Sequence, residues 1–317
     1  MKRPLYITRP GTLRCSKGTL RFEGRDIKKT IPVKATSEVF CLAPVTLTGG
    51  ALRLLSLEGI PVHFYSTRGA YRGSFIPTDS DSCGSMLIAQ VEHYLDAEKR
   101  RYIATQFVEG IKGSMLSFLR YLRADTEDIK DVEIEARTPE ELLGLESQLW
   151  RAFYQVFGSS LKHFKFSGRK KRPPGDEVNA MISYGNAVLY GVILSEIHKT
   201  CLNPSVSYLH EPRDGRNSLV FDIADMFKPI TVFKAIFRAT NRREIRREHF
   251  WKGDGVYLTR EGKRIFLQEL NMELDRKVWH PRLKRYTSLR YIMRLELYSL
   301  RNHLIGKRKY RSIRAWW

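Results

Sequence analysis

Hydrophobic periodicity changes character once along this chain, near residue 77, and that change limits what the chain can fold into. Before it, short β-rich runs (Leu5-Tyr6-Ile7, Leu20-Arg21-Phe22, Val39-Phe40-Cys41-Leu42, Val62-His63-Phe64-Tyr65) alternate with Gly and Pro, the punctuation of strands and turns. One short helix is expected over 51–58, between Gly49-Gly50 and Gly59. After residue 84 apolar residues recur at helical spacing almost throughout, with helices expected over 85–107, 111–124, 139–157, 177–201, 218–240, 260–277 and 288–304. Residues 78–84 have the composition of a linker. The expected fold class is therefore α+β: a small β-rich N-terminal domain over 1–77, then a larger all-α domain over 85–317. A chain of 317 residues can bury a core in each. The β-rich part carries no evident chemistry, and His63 on a strand reads as structural.

Charge narrows the partners. The formal net charge is +21, and residues 238–317 hold 22 Lys/Arg against 8 Asp/Glu. An excess clustered this way suits a polyanion, nucleic acid before membrane. There is no run of eighteen apolar residues and no signal-peptide core after Met1-Lys2-Arg3-Pro4, so no membrane span and a cytoplasmic location are expected. Cys15, Cys41, Cys83 and Cys201 are scattered without Cys-x-x-Cys spacing, which reads as reduced thiols and not a zinc module.

Within the stretch 208–229, His210, Asp222 and Asp225 fall inside sixteen residues. Gly215 allows a turn, Ser218 can cap a helix, and Asp222 and Asp225 then share one face at i, i+3. His210 lies before the turn and can fold back over that face. Imidazole and carboxylate together suit a divalent metal. Spacing alone leaves a plainer alternative open, a hydrogen-bonded histidine beside a solvated acidic edge. The apolar company of Leu219, Val220, Phe221, Ile223, Met226 and Phe227 argues for a cation, since an unpaired buried carboxylate is costly.

A second acid sits in an unexpected place. Thr138-Pro139-Glu140-Glu141 opens a helix with a cap, a proline at the first position and a capping box. The apolar stripe Leu142, Leu145, Leu149, Ala152, Phe153, Val156 follows, and Glu146 falls inside it. On pattern alone, Glu146 at the stripe's margin paired with Arg151 remains an alternative. Farther on, the acid-free loop 160–175 carries Lys162, Lys165, Arg169, Lys170, Lys171 and Arg172, interleaved with Phe164 and Phe166. Such a pattern suits phosphate neutralisation with base stacking, or simply a solvated loop. The tail 307–317 has the same basic-aromatic character.

Three blocks, in this order, resemble the CRISPR adaptation integrase family, the endonuclease/integrase that inserts spacers into repeat arrays. They are Gly144-Leu145-Glu146 followed by Arg151-Ala152-Phe153-Tyr154, then 172–185, then 209–229. The resemblance implies that Glu146, His210 and Asp225 bind a metal, with Asp222 as an accessory acid. It implies Mg2+ or Mn2+, phosphoryl transfer on DNA, a homodimer formed through the β-rich domains, and a small ferredoxin-like partner protein. The loop cations, with Arg213, Arg242, Arg243, Arg246 and Arg247, are the expected DNA contacts. Ser147, Leu149 and Trp150 depart from the small residues usual after the family's glutamate, and Glu177 replaces a common proline. These departures reshape the groove around Glu146 and leave every expected ligand in place.

Overall fold

The computed structural model describes residues 2–77 and 84–315. The chain separates into two compact units, Met1–Ser82 and Cys83–Trp317. Apart from Gly84, the expected linker lies outside the described residues.

The first unit holds β1 (Arg3–Ile7), β2 (Gly11–Ser16), β3 (Thr19–Gly24), β4 (Ile27–Ile31), β5 (Thr36–Cys41), β6 (Val45–Leu47), α1 (Gly49–Leu57), β7 (Val62–Tyr65) and β8 (Tyr71–Phe75). They form two four-stranded sheets, ordered β1-β5-β7-β8 and β4-β3-β2-β6. Period-two alternation aims Leu13, Leu20, Phe22, Val39 and Val62 into one core shared with Ala51 and Leu55 of α1. Thr48 caps α1 by accepting from the Ala51 amide at 3.3 Å. His63 is buried, with Nδ1 2.6 Å from the Ser74 hydroxyl. Its role here is structural, as its place on a strand suggested.

The second unit holds α2 (Gly84–Leu95), α3 (Ala97–Leu122), α4 (Glu127–Lys130), α5 (Pro139–Ser160), α6 (Glu177–His198), α7 (Ser218–Phe227), α8 (Lys234–Asn241), α9 (Arg260–Leu274) and α10 (Leu289–Leu304). It is not all-α. Two antiparallel hairpins interrupt the helices, β9–β10 (Phe250–Lys252, Val256–Leu258) and β11–β12 (Lys277–His280, Arg285–Ser288). Strands of three or four residues are too short to show a period.

Helix α6 is buried along most of its length, mainly by apolar residues, and is packed by α7, α8, α9 and α10, as expected of a central helix. It is the one described helix long and apolar enough to cross a membrane, yet 89% of that apolar window is buried inside the fold.

Two helix boundaries differ from expectation. The break expected between 107 and 111 falls at Asp96, whose side chain caps α3 by accepting from the Lys99 amide at 3.0 Å. Gly110 stays helical because α7 presses close there; a Cβ at Gly110 would lie 2.6 Å from Met226 Sδ. The continuous helix expected over 218–240 is interrupted by a π turn, Pro229–Phe233. Pro229 has no amide hydrogen to continue the i→i−4 ladder, and the Phe233 amide bonds the Lys228 carbonyl at 3.0 Å instead. Such bulges recur at functional sites.

Cys15 and Cys41 are free thiols, but Cys201 is disulfide-bonded. The expectation of reduced cysteines therefore fails at Cys201, because scattered spacing in sequence does not report proximity in space. The basic tail is also partly core. Tyr310 is fully buried, its hydroxyl donates to Glu296, and the Ile313 amide bonds Glu296 Oε1 at 3.1 Å. Tyr310→Ala should therefore lower unfolding free energy by about 3 kcal/mol, measured as a shift of the urea midpoint; an unchanged midpoint would show the tail is not anchored.

Candidate active site

Three elements bring the candidate residues to one neighbourhood. Helix α5 begins as read: Thr138 Oγ1 accepts from the Glu141 amide at 3.3 Å. The Glu141 carboxylate reaches back one residue farther than a capping box requires, accepting from the Arg137 amide at 2.7 Å. Two turns on, Glu146 is buried and accepts from Trp150 Nε1 at 2.8 Å. Arg151 is exposed, so Glu146's partner is the indole one residue earlier. Trp150 is one of the departures from the family pattern.

Asp222 organises the segment that carries His210. It is fully buried and accepts four hydrogen bonds: Oδ2 from the amides of Tyr208 (2.8 Å) and Leu209 (3.1 Å), Oδ1 from the His210 amide (3.0 Å) and from His210 Nδ1 (2.8 Å). Its acceptor capacity is thereby filled, which makes it a positioning residue. The bond to Nδ1 fixes the ring and directs Nε2 away from Asp222, the arrangement that orients metal-ligating histidines. Arg100 of α3 holds the same segment from the other side, with Nε 3.1 Å from the Tyr208 carbonyl and Nη2 2.6 Å from Glu211. Helix α7 starts at Ser218 with Asn217 in the cap position and no side-chain cap bond.

Asp225 lies one turn beyond Asp222, nearly buried, in an ion pair with Lys228. Lys228 also sits 5.9 Å from the Trp150 ring and 5.2 Å from the Tyr190 ring. Burial opposes its charge, but Asp225 and Tyr190 outweigh that and raise its pKa. Sequence reasoning missed Lys228 and Tyr190. The signal for Lys228 was its i+3 spacing from Asp225; Tyr190 left none.

The electrostatics tie the groups together. Burial, then the charge of Asp225, pushes the Glu146 carboxyl up to about 7, against the pull of His210 and Lys228. Burial alone would lower the His210 imidazole, but Asp222, Asp225 and Glu146 raise it to about 9. Two carboxylates and an imidazole held by a third carboxylate are a donor set whose nitrogen suits Mn2+ better than Mg2+. As they stand, though, no three His, Cys or carboxylate side chains among the described residues are arranged to hold a metal ion. Lys228 is the cation that Asp225 meets in this arrangement.

The expected DNA contacts divide. Lys162, Lys165, Lys170, Lys171, Arg172, Arg213, Arg242, Arg243, Arg246 and Arg247 are exposed. Arg169 instead turns inward, bonding Asn179 Oδ1 at 2.8 Å and Ser183 Oγ at 2.9 Å near the start of α6. The loop aromatics pack too, Phe164 against Phe250 and Phe166 against Tyr154 and Phe157. Phe164 is buried and Phe166 half-buried, so these rings mainly pack within the fold.

The profile of the family described as CRISPR associated protein Cas1 matches residues 5–272. The CRISPR-associated endonuclease Cas1 2 of Moorella thermoacetica is 37% identical over 321 residues, covering 99% of this chain and 100% of that protein. The chain belongs to the Cas1 family. Another member, the CRISPR-associated endonuclease Cas1 of Pyrococcus horikoshii, is 35% identical over 99% of both chains. The solved structure of a Cas1 protein from Thermotoga maritima superposes with a TM-score of 0.89 at 33% identity, over 98% of this chain and 99% of that one. A casposase bound to integration product shares the Cas1 fold, with a TM-score of 0.86 at 22% identity.

Proposed function

We propose that this Cas1-family chain is a metal-dependent DNA endonuclease/integrase that joins the 3′-hydroxyl ends of short DNA fragments into a CRISPR repeat array. The carrying observation is the buried Glu146 carboxyl, coupled in charge to Asp225 and to a His210 that Asp222 holds in place. Glu146, His210 Nε2 and Asp225 would hold Mg2+ or Mn2+. Such an ion polarises a phosphodiester oxygen and stabilises the charge that develops in phosphoryl transfer. In the alternative role, with Nε2 not on the ion, His210 would hold or move a proton at the attacking or leaving oxygen. Water in place of the 3′-hydroxyl would give cleavage, so both activities fit one site.

The test is a strand-transfer assay with Mn2+ or Mg2+, a repeat-containing target and a short duplex donor with free 3′-hydroxyls. Joined strands are expected; cleavage alone would reduce the reading to a nuclease. The Lys228–Asp225 ion pair favours one rival, a non-catalytic DNA-binding protein whose acids form only a structural ion network. Under that rival, Glu146→Ala would unfold the protein.

Metal affinity carries a pH signature. With the Glu146 carboxyl near 7, a cation must displace a proton below that pH. Binding through His210 Nε2 also displaces the imidazole proton below about 9, so Mn2+ affinity should fall about tenfold per pH unit from 9 to 7 and more steeply below 7. Titrations at pH 5.5 to 9.5 check this, and a slope that does not steepen below 7 would exclude Glu146 as a ligand.

DNA affinity should fall steeply with salt, and charge reversal at Arg242, Arg243, Arg246 and Arg247 should flatten that slope. Salt-insensitive binding would assign the positive charge another purpose. The assembly that goes with this activity is a homodimer through the β-rich units, joined by a small ferredoxin-like partner. Light scattering at micromolar concentration should find the dimer, and a stable monomer would contradict it.

A further inference from the structure

The β11–β12 hairpin sorts its residues sharply. Its register sets Val278 opposite Thr287 and Trp279 opposite Tyr286. Strand alternation then sends Val278 and Thr287 into the protein and Trp279 and Tyr286 outward, 48% and 67% exposed. The two outward rings meet edge to face at 5.4 Å. Around them Lys277, Arg282, Lys284 and Arg285 are all exposed, and residues 277–288 contain no carboxylate. After burial, the nearby charges of Arg282 and Arg285 are what hold the His280 imidazole below its ordinary value.

The device recurs. In β9–β10 Trp251 stands opposite Tyr257, the rings stack at 4.8 Å, and Trp251 is 41% exposed. A single exposed aromatic residue is ordinary. A cross-strand aromatic pair rimmed by cations has the composition of a nucleic-acid platform.

We propose that the 277–288 hairpin is a binding surface for single-stranded DNA, with Trp279 and Tyr286 stacking on an unpaired base and the surrounding cations meeting the flanking phosphates. The ligand must be anionic, since four cations without a carboxylate would repel most protein surfaces. It must also offer a free π face, which paired bases in a duplex do not. The inference rests on the DNA-processing reading of the active site and adds to it where unpaired ends are held.

Fluorescence anisotropy on the full chain tests it, using a labelled 20-mer single strand, the same sequence as a blunt duplex, and that duplex with single-stranded 3′ overhangs. Relative to wild type, the double variant Trp279→Ala/Tyr286→Ala should bind the single strand and the overhang duplex about tenfold more weakly. It should bind the blunt duplex within about twofold. Trp279→Phe should keep most of the affinity, and circular dichroism should show each variant folded. If the double variant does not fold, Arg282→Gln/Lys284→Gln/Arg285→Gln serves instead, and should flatten the salt dependence of single-strand binding. Unchanged affinity for every probe would overturn the hairpin's role alone. An equal loss on the blunt duplex would overturn the single-strand assignment in favour of a groove contact. Wild-type protein that binds none of the probes would overturn the DNA-processing reading as well.

Discussion

Glu146→Ala should lower metal-dependent cleavage and joining by on the order of a thousandfold while leaving DNA affinity within about twofold. The side chain is buried inside an apolar stripe and bonded to Trp150. It cannot contribute much to phosphate binding, and it would repel phosphate if it did. What it can contribute is a negative charge facing Asp225 and His210. Glu146→Gln separates the two properties, because an amide oxygen still accepts from the indole but carries no charge. If the charge matters for metal binding, the glutamine variant should be as inactive as the alanine variant and at least as stable. Activity retained in the glutamine variant would mean that the hydrogen bond, and not the charge, is what the site requires.

Asp222→Ala should lower unfolding free energy by about 3–5 kcal/mol, because it strands three backbone amides and an imidazole that share one buried carboxylate. Asp222→Asn is the more informative change. It keeps an acceptor while removing the charge that most favours protonated His210, so the imidazole should titrate well below its value of about 9. The sign of the pH effect follows from linkage. His210 has a raised folded pKa, so its contribution is complete below the unfolded value near 6.5 and lost as pH rises through 9. Glu146, raised from 4.5 to about 7, binds more protons folded than unfolded across that interval, and also loses stability with rising pH. The metal-free protein should therefore be less stable at pH 9 than at pH 5.5, and Asp222→Asn should show a shallower loss between 6.5 and 9. Thermal melts across pH, with the imidazole followed by NMR, check both. A similar Asp222→Asn profile would mean that another group governs His210. Mn2+ affinity should also drop about 10–100-fold in that variant, the usual effect of releasing the partner of a metal-binding histidine.

Part of this region was legible in sequence because its acids break local rules, although their grouping as ligands came only from the family resemblance. Glu146 interrupts an apolar stripe, and Asp222 and Asp225 sit among Val220, Ile223 and Phe227, where a solvated acid has no place. The cap at Thr138 was legible for the same reason, as local chemistry with a local partner. Features set by distant partners were not legible. Nothing near Arg169 in sequence announces that Asn179 and Ser183 will draw it inward. Gly110 looked like a helix break until Met226 supplied the reason for a glycine inside α3. Tyr310 belongs to a run whose composition suits a disordered arm, yet Glu296, fourteen residues away, anchors it. The hairpin strands of the second unit are shorter than the window over which a period can be recognised.

Lys228 bears most directly on whether the three candidate ligands act together. Its pairing with Asp225 means that a metal must either displace the ammonium or share the carboxylate with it. The decisive measurement is Mn2+ binding, followed by water-proton relaxation, to the wild-type protein and to Glu146→Ala, His210→Ala and Asp225→Ala singly. One shared site predicts a single binding event in the wild type that each variant loses or weakens by at least tenfold. Undiminished Mn2+ affinity in any folded variant would contradict it.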